Sequence, residues 1–315
     1  MKPARTKSGY LGITARGILM GAADAVPGVS GGTIAFMTGI YEELIFSLKQ
    51  CSISALRMLF QDGLKAAWQH INGSFLLALF TGIILSILTL TRVVLFLLDK
   101  HPILLWSFFF GLILAAVWSV LRHVEKWSMG IIATFLGGAV SAFLITTISP
   151  TTIETSPLVV FLSGMIAICA MILPGISGSF ILLILGLYAP MLTAVKELQL
   201  VTLCVFASGC VAGLLSFSHV LSWMFNHFKT MTLALLGGFM LGSLNKVWPW
   251  KQTIETVIDR HGKEIPIVQH NILPHTFETL HSQPAYLGFA IALMLLGMGM
   301  VIALERLGQK PADNE

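Results

Sequence analysis

The chain has 315 residues, of which 56% are hydrophobic and 11% charged, with a mean hydropathy of +0.85 and a formal net charge of +4. A soluble domain carries about 25% charged residues, so this composition excludes a soluble globular protein and predicts one that is embedded in a membrane. Cys51, Cys169, Cys204 and Cys210 lie mostly in apolar stretches, without metal or disulfide spacing, and read as small packing residues.

The N-terminal MKPARTKSGYLGITARG is basic but has no clean apolar core followed by a small-residue cleavage site, so a cleavable signal peptide is not expected. An apolar region at 11–47 follows, broken in its middle by Pro27-Gly28-Val29-Ser30-Gly31-Gly32. Its arms are mostly about 12–17 residues, short of the roughly 20 that a helix needs to cross a bilayer. The region is read as a re-entrant hairpin of two half-helices, with two tilted full spans as the alternative. Apolar runs of spanning length occupy 74–98, 103–121 and 129–149. A second broken region at 158–192 carries Pro174-Gly175-Ile176-Ser177-Gly178-Ser179. Spans are expected at 199–225, 230–247 and 286–304, with 248–285 as a polar outer loop.

The two broken regions resemble each other. VPGVSGGTIAFMTGIYEELIFSLK (Val26–Lys49) aligns without a gap on LPGISGSFILLILGLYAPMLTAVK (Leu173–Lys196), at a shift of 147 residues. Pro27, Gly28, Ser30, Gly31, Ile34, Gly39, Tyr41 and Lys49 recur as Pro174, Gly175, Ser177, Gly178, Ile181, Gly186, Tyr188 and Lys196. The segments that follow align at a shift of 127, with Gly82 on Gly209 and Gly111 on Gly238. Matched glycines and prolines are informative because they punctuate backbone geometry. The expected fold is therefore an all-α polytopic membrane protein of two repeats, 1–152 and 153–315, each a broken-helix hairpin followed by three transmembrane helices. Three spans per half invert the second repeat relative to the first, an arrangement known from secondary transporters. With the N-terminus inside, Lys2, Arg5, Lys7, Lys49, Arg57, Lys65, Arg122, Lys126, Lys229, Arg306 and Lys310 also fall inside. The positive-inside rule thus puts both termini in the cytoplasm.

Candidate site residues follow from the breaks. Pro27 stops a half-helix, Gly28 allows a tight reversal, and Ser30 is a good N-cap for the next half-helix. Ser30, Gly31 and Gly32 would then surround a helix N-terminus suited to anions. Gly175, Ser177, Gly178 and Ser179 would do the same from the opposite side. Ionisable residues in apolar segments are few and point to function. Arg16 and Arg92 are candidate phosphate ligands. Asp24, Glu42 and Glu43 correspond to Met171, Ala189 and Pro190 in the second half, and this asymmetry makes them candidates for coupling. Asp24 is also a candidate substrate-site residue. His261, His270, His275 and His281 fit no compact metal motif and read as loop residues. No G-x-x-x-x-G-K-[ST] nucleotide motif occurs.

GAADAVPGVSGGTIAFMTGIYEELI (Gly21–Ile45), together with ILPGISGSFILLILGLY (Ile172–Tyr188), resembles the bacterial polyprenyl-phosphate transporter family. The resemblance extends across nearly the whole chain. It implies translocation of undecaprenyl phosphate, or a related polyprenyl phosphate, across the bacterial cytoplasmic membrane in support of cell-envelope polymer synthesis. It further implies a lipid substrate with lipid neighbours; nucleic acid, metal, cofactor and catalytic residues are not expected. A membrane polyprenyl-pyrophosphate phosphatase and a small-anion channel or exchanger are the alternatives. Protons, sodium and the lipid gradient all stand as driving forces, and the sequence does not fix the oligomeric state.

Overall fold

The computed structural model describes residues 7–24, 30–124, 126–148, 155–258 and 264–308. Helix α1 (Lys7–Asp24) leads to α2 (Gly31–Met37) and α3 (Tyr41–Gln50), then to the short α4 (Ile53–Gln61) and α5 (Leu64–His70). Three long helices follow: α6 (Gly73–Lys100), α7 (Pro102–Leu121) and α8 (Met129–Thr147). The second half runs α9 (Pro157–Ile172), α10 (Gly178–Ile184), α11 (Tyr188–Lys196), α12 (Leu200–His227) and α13 (Lys229–Ser243). Strands β1 (Lys251–Ile258) and β2 (Glu264–Asn271), then α14 (Pro274–His281) and α15 (Leu287–Gly308), complete the order.

Local chemistry sets the boundaries. Pro102, Pro157 and Pro274 sit in the first helical turn, where a missing N–H costs nothing. Ser128 and Ser156 cap α8 and α9, accepting from the N–H groups of Ile131 and Val159. Leu173, the residue before Pro174, has extended dihedrals (φ −66°, ψ 129°) and ends α9. Gly39 and Gly186 close α2 and α10 at nearly the same positive φ, 71° and 68°, which only glycine adopts freely.

Among the described residues four helices are long and apolar enough to cross a membrane: the Gly73–Leu90 part of α6, then α7, α8 and α12. The apolar helix α9 and the Leu287–Ala303 part of α15 are shorter. The span expected at 230–247 is the 15-residue α13. Its buried residues include Leu233, Ala234, Leu236, Gly237, Gly238 and Met240, and a helix enclosed by protein needs only the length of the interface it fills. The segment 248–285 is more than a solvated loop. β1 and β2 pair antiparallel from Lys251↔Asn271 to Ile258↔Glu264, so the all-α expectation misses one hairpin. Its signal was the β-branched run in Lys251–Ile258, a composition that favours strands. The hairpin is tied down by Trp248 and Trp250, whose indole N–H groups donate to the carbonyls of Ile272 (2.8 Å) and Ala285 (3.0 Å).

The helices meet along glycine seams, which let backbones approach closely where lipid supplies no hydrophobic drive for helices to associate. A Cβ on Gly17 would collide with the Leu79 carbonyl, and one on Gly82 with that of Thr14. In α9 and α12, a Cβ on Gly164 would collide with the Phe206 carbonyl, and one on Gly209 with that of Phe161. Every residue of the second seam is displaced from its partner in the first by 147 or 127 positions. A second pair of seams behaves the same way. Gly111 of α7 faces the Met294 carbonyl and Gly297 faces that of Phe108, while Gly238 of α13 faces Phe135 and Gly138 faces Leu235. Here Phe108 and Gly111 become Leu235 and Gly238 at the shift of 127, and Phe135 and Gly138 become Met294 and Gly297 at 159.

Gly209→Leu forces a side chain into the Phe161 backbone, an overpacking worth about 1–3 kcal/mol or more. The expected result is a lowered melting temperature of the purified protein. Gly137→Leu, at a glycine with open space around it, should leave the melting temperature near that of wild type.

Candidate functional site

The two breaks in the apolar helices meet in the interior. Ser30 is fully buried and extended (φ −117°, ψ 134°), and its hydroxyl accepts from the Gly32 N–H at 3.0 Å. The same hydroxyl donates across to the Met171 carbonyl at 2.9 Å. Thr33, also fully buried, accepts from the Gly175 N–H at 2.9 Å. The Tyr41 hydroxyl donates to the Ile172 carbonyl at 3.1 Å. Gly32 is pressed against the second break, since a Cβ there would lie 2.6 Å from the Ile172 oxygen. These bonds satisfy the carbonyls at the end of α9, which a helix C-terminus leaves without internal partners.

The starts of α2 and α10 differ. At α2 the Asp24 carboxylate accepts from the Gly31 N–H at 2.7 Å. This start therefore already holds an anionic group supplied by the chain. At α10 the Ser177 hydroxyl pairs with Ser179 at 2.8 Å and makes no capping bond. Gly175 there has φ +91°, and a Cβ on Gly178 would lie 2.6 Å from the Ala167 oxygen.

Ser30, Gly31, Gly32, Asp24, Gly175, Ser177, Gly178 and Ser179 thus lie in or beside one buried cluster. Gly28 lies outside the described residues. Arg16 is partly buried on α1. Arg92 is exposed on α6, on a face shared with the exposed Leu85, Leu88 and Phe96, and takes no part in the bonds that join the breaks. Glu42 is exposed and ion-paired with Lys229 at 2.7 Å. Glu43 accepts from the Asn72 side-chain amide at 3.0 Å. Both carboxylates line a cavity of about 950 Å³ between α3, α5, the start of α6 and the end of α12. Among the described residues no cluster of His, Cys, Asp or Glu could hold a metal ion.

Thr33 and Tyr41 were missed as functional partners. Tyr41 recurs as Tyr188, which was a usable signal. Thr33 has Phe180 as its counterpart, so no repeat marked it.

A model of the family described as undecaprenyl phosphate translocase-like matches residues 20–265. The chain is 50% identical over 301 residues to a polyprenyl-phosphate transporter of Vibrio cholerae, covering 96% of this chain and 98% of that one. It is 34% identical over 256 residues to a polyprenyl-phosphate transporter of Staphylococcus aureus, covering 74% and 84%. No solved structure matches it.

Asp24→Ala removes the acceptor at the start of α2 and should cost about 1 kcal/mol, the usual worth of a cap. Asp24→Asn keeps a side-chain oxygen at that position and should retain most of the stability. Thermal unfolding of both variants in one detergent checks this, with Ala expected to melt below Asn.

Proposed function

This chain belongs to the undecaprenyl phosphate translocase-like family, and from that membership we infer that it translocates a polyprenyl phosphate across the bilayer. The observation that carries the reading is the 50% identity to a polyprenyl-phosphate transporter over nearly the full length of both chains. The membrane is the bacterial cytoplasmic membrane, with both termini on its cytoplasmic side. The substrate leaves the protein chemically unchanged.

The route follows from the cost of the step. A phosphate cannot cross hydrocarbon unescorted, so the head group needs a polar path while its prenyl tail stays in lipid. We propose that 1–152 and 153–315 are inverted repeats whose re-entrant hairpins form that path at their meeting point. The paired glycine seams, related by constant shifts, and the hydrogen bonds between the two breaks support this. Ser30, Gly31, Gly32, Gly175, Ser177, Gly178 and Ser179 are the residues a passing head group meets. Arg16 on α1 and Arg92 on the exposed face of α6 are the cations it meets from the bilayer, since Arg pairs phosphate bidentately. Asp24, Glu42 and Glu43, absent from the second half, are the candidates for proton coupling.

Proteoliposomes carrying a labelled polyprenyl phosphate test the function. Leaflet exchange should exceed that of empty liposomes, and no inorganic phosphate should appear from the pyrophosphorylated lipid. Exchange equal to the empty control, or phosphate release, overturns the reading. An imposed proton gradient should accelerate exchange by the wild type and have a weaker effect on Asp24→Asn.

A further inference from the structure

At the end of α13 remote from the Glu42–Lys229 pair lies a second cavity, of about 180 Å³. Thr146, Phe180, Asn245, Lys246, Lys251 and His270 are among its walls. It adjoins the second break. Gly175 packs on the last turn of α13, where a Cβ would lie 2.9 Å from the Ser243 hydroxyl and 3.0 Å from the Met240 Cα, and Phe180 belongs to the first turn of α10.

Two ammonium groups share this space. Lys246 Nζ sits 4.4 Å from the centre of the Phe180 ring, and Lys251 Nζ sits 4.4 Å from that of Trp106. Lys251 donates to the Lys246 carbonyl at 2.5 Å. Among the described residues neither lysine has a carboxylate within ion-pairing distance, and the cavity walls contain none. An ammonium has three donors. Among the described contacts Lys251 uses one on the protein and Lys246 uses none. Burial pushes Lys246 down to about 8 and Lys251 well below the ordinary lysine range, with the Lys246 charge adding to the effect.

Aromatic faces hold these cations in place without neutralising them. Two amines in one cavity, with no carboxylate beside them among the described residues, call for an anion. A phosphate monoester, at roughly −1.5 to −2 near neutral pH, supplies the counter-charge that would hold protons on both amines. The surrounding frame is fixed independently of the lysines. The Asn245 amide donates to Thr146 at 3.0 Å, and the Asn271 amide donates to the Asn245 backbone and side-chain oxygens at 2.8 Å. These bonds join α8, the end of α13 and β2 around the cavity.

We propose that the Lys246–Lys251 cavity is a binding site for the phosphate of a phosphate monoester, placed beside the second break so that it holds the head group at one end of the translocation path. The assignment of that phosphate to a lipid rests on the function proposed above.

The test is calorimetry on the full chain in phosphate-free detergent, with farnesyl phosphate and inorganic phosphate as separate probes. Lys246→Gln and Lys251→Gln should each weaken farnesyl phosphate by about tenfold or more, and the Lys246→Arg/Lys251→Arg double variant should stay within about threefold of wild type, because the charge is kept. Binding of farnesyl phosphate alone identifies a lipid head-group site, and binding of both probes identifies a general phosphate site. A second measurement needs no variant: farnesyl phosphate should slow acylation of Lys246 and Lys251 in the wild-type protein, read by mass spectrometry. Glutamine variants that melt like wild type and bind both probes unchanged, or lysines acylated equally fast with and without probe, overturn the proposal. If the wild type exchanges lipid while these results hold, only the lysine site falls. If the probe binds at the lysines while exchange is absent, only the translocation reading falls.

Discussion

A peptide group without a hydrogen-bond partner is costly in hydrocarbon, by several kcal/mol. Apolar helices that stop inside a fold therefore create a debt of unpaired carbonyls and N–H groups. In this protein the two breaks settle it mutually. The carbonyls of Met171 and Ile172 at the end of α9 take hydrogen bonds from Ser30 and Tyr41, and the Gly175 N–H gives one to Thr33. The close approach that these bonds need is possible because Gly32 and Gly178 carry no side chain toward the backbone they face. The glycine seams α1–α6, α9–α12, α7–α15 and α8–α13 then bring the longer helices together around that meeting point.

The two halves are alike in backbone and unlike in charge. Gly39 and Gly186 share a dihedral, and Ser30 and Ser177 share an extended conformation with ψ 134°. Yet Asp24 fills the start of α2 where the second half has Met171, and Thr33 is replaced by Phe180. The first half thus brings its own anion to the centre. The second half brings an aromatic face, and Lys246 rests on that face. A translocator built from two strictly equivalent halves would treat the head group identically from both sides. These substitutions make the two breaks chemically unequal.

Charge outside the break region is also distributed unequally. The cavity at one end of α13 carries Glu42 and Glu43, with Lys65 and His70 also in its walls. The cavity at the other end carries two lysines and no carboxylate among its lining residues.

The sequence by itself determined the solvent and the place of the breaks. Hydropathy reports lipid directly, and Pro174 and Gly175 act on the backbone locally, so their effect can be read without neighbours. Family membership was legible for the same reason, in the paired Pro-Gly-x-Ser-Gly motifs. The tertiary structure decided what the polar groups do. Asp24 reads from sequence as a coupling or substrate-site candidate, and its bond to the Gly31 N–H, seven residues on, is visible only in the fold. Arg92 reads from its apolar run as a candidate phosphate ligand, and only helix rotation shows that it sits on an exposed face. Lys246 and Lys251 carry no such local signal: β2 residues wall their cavity, and Phe180 and Trp106 lie against them, only in the folded chain. Burial and counter-charge are properties of what surrounds a side chain, and only the folded chain supplies the surroundings.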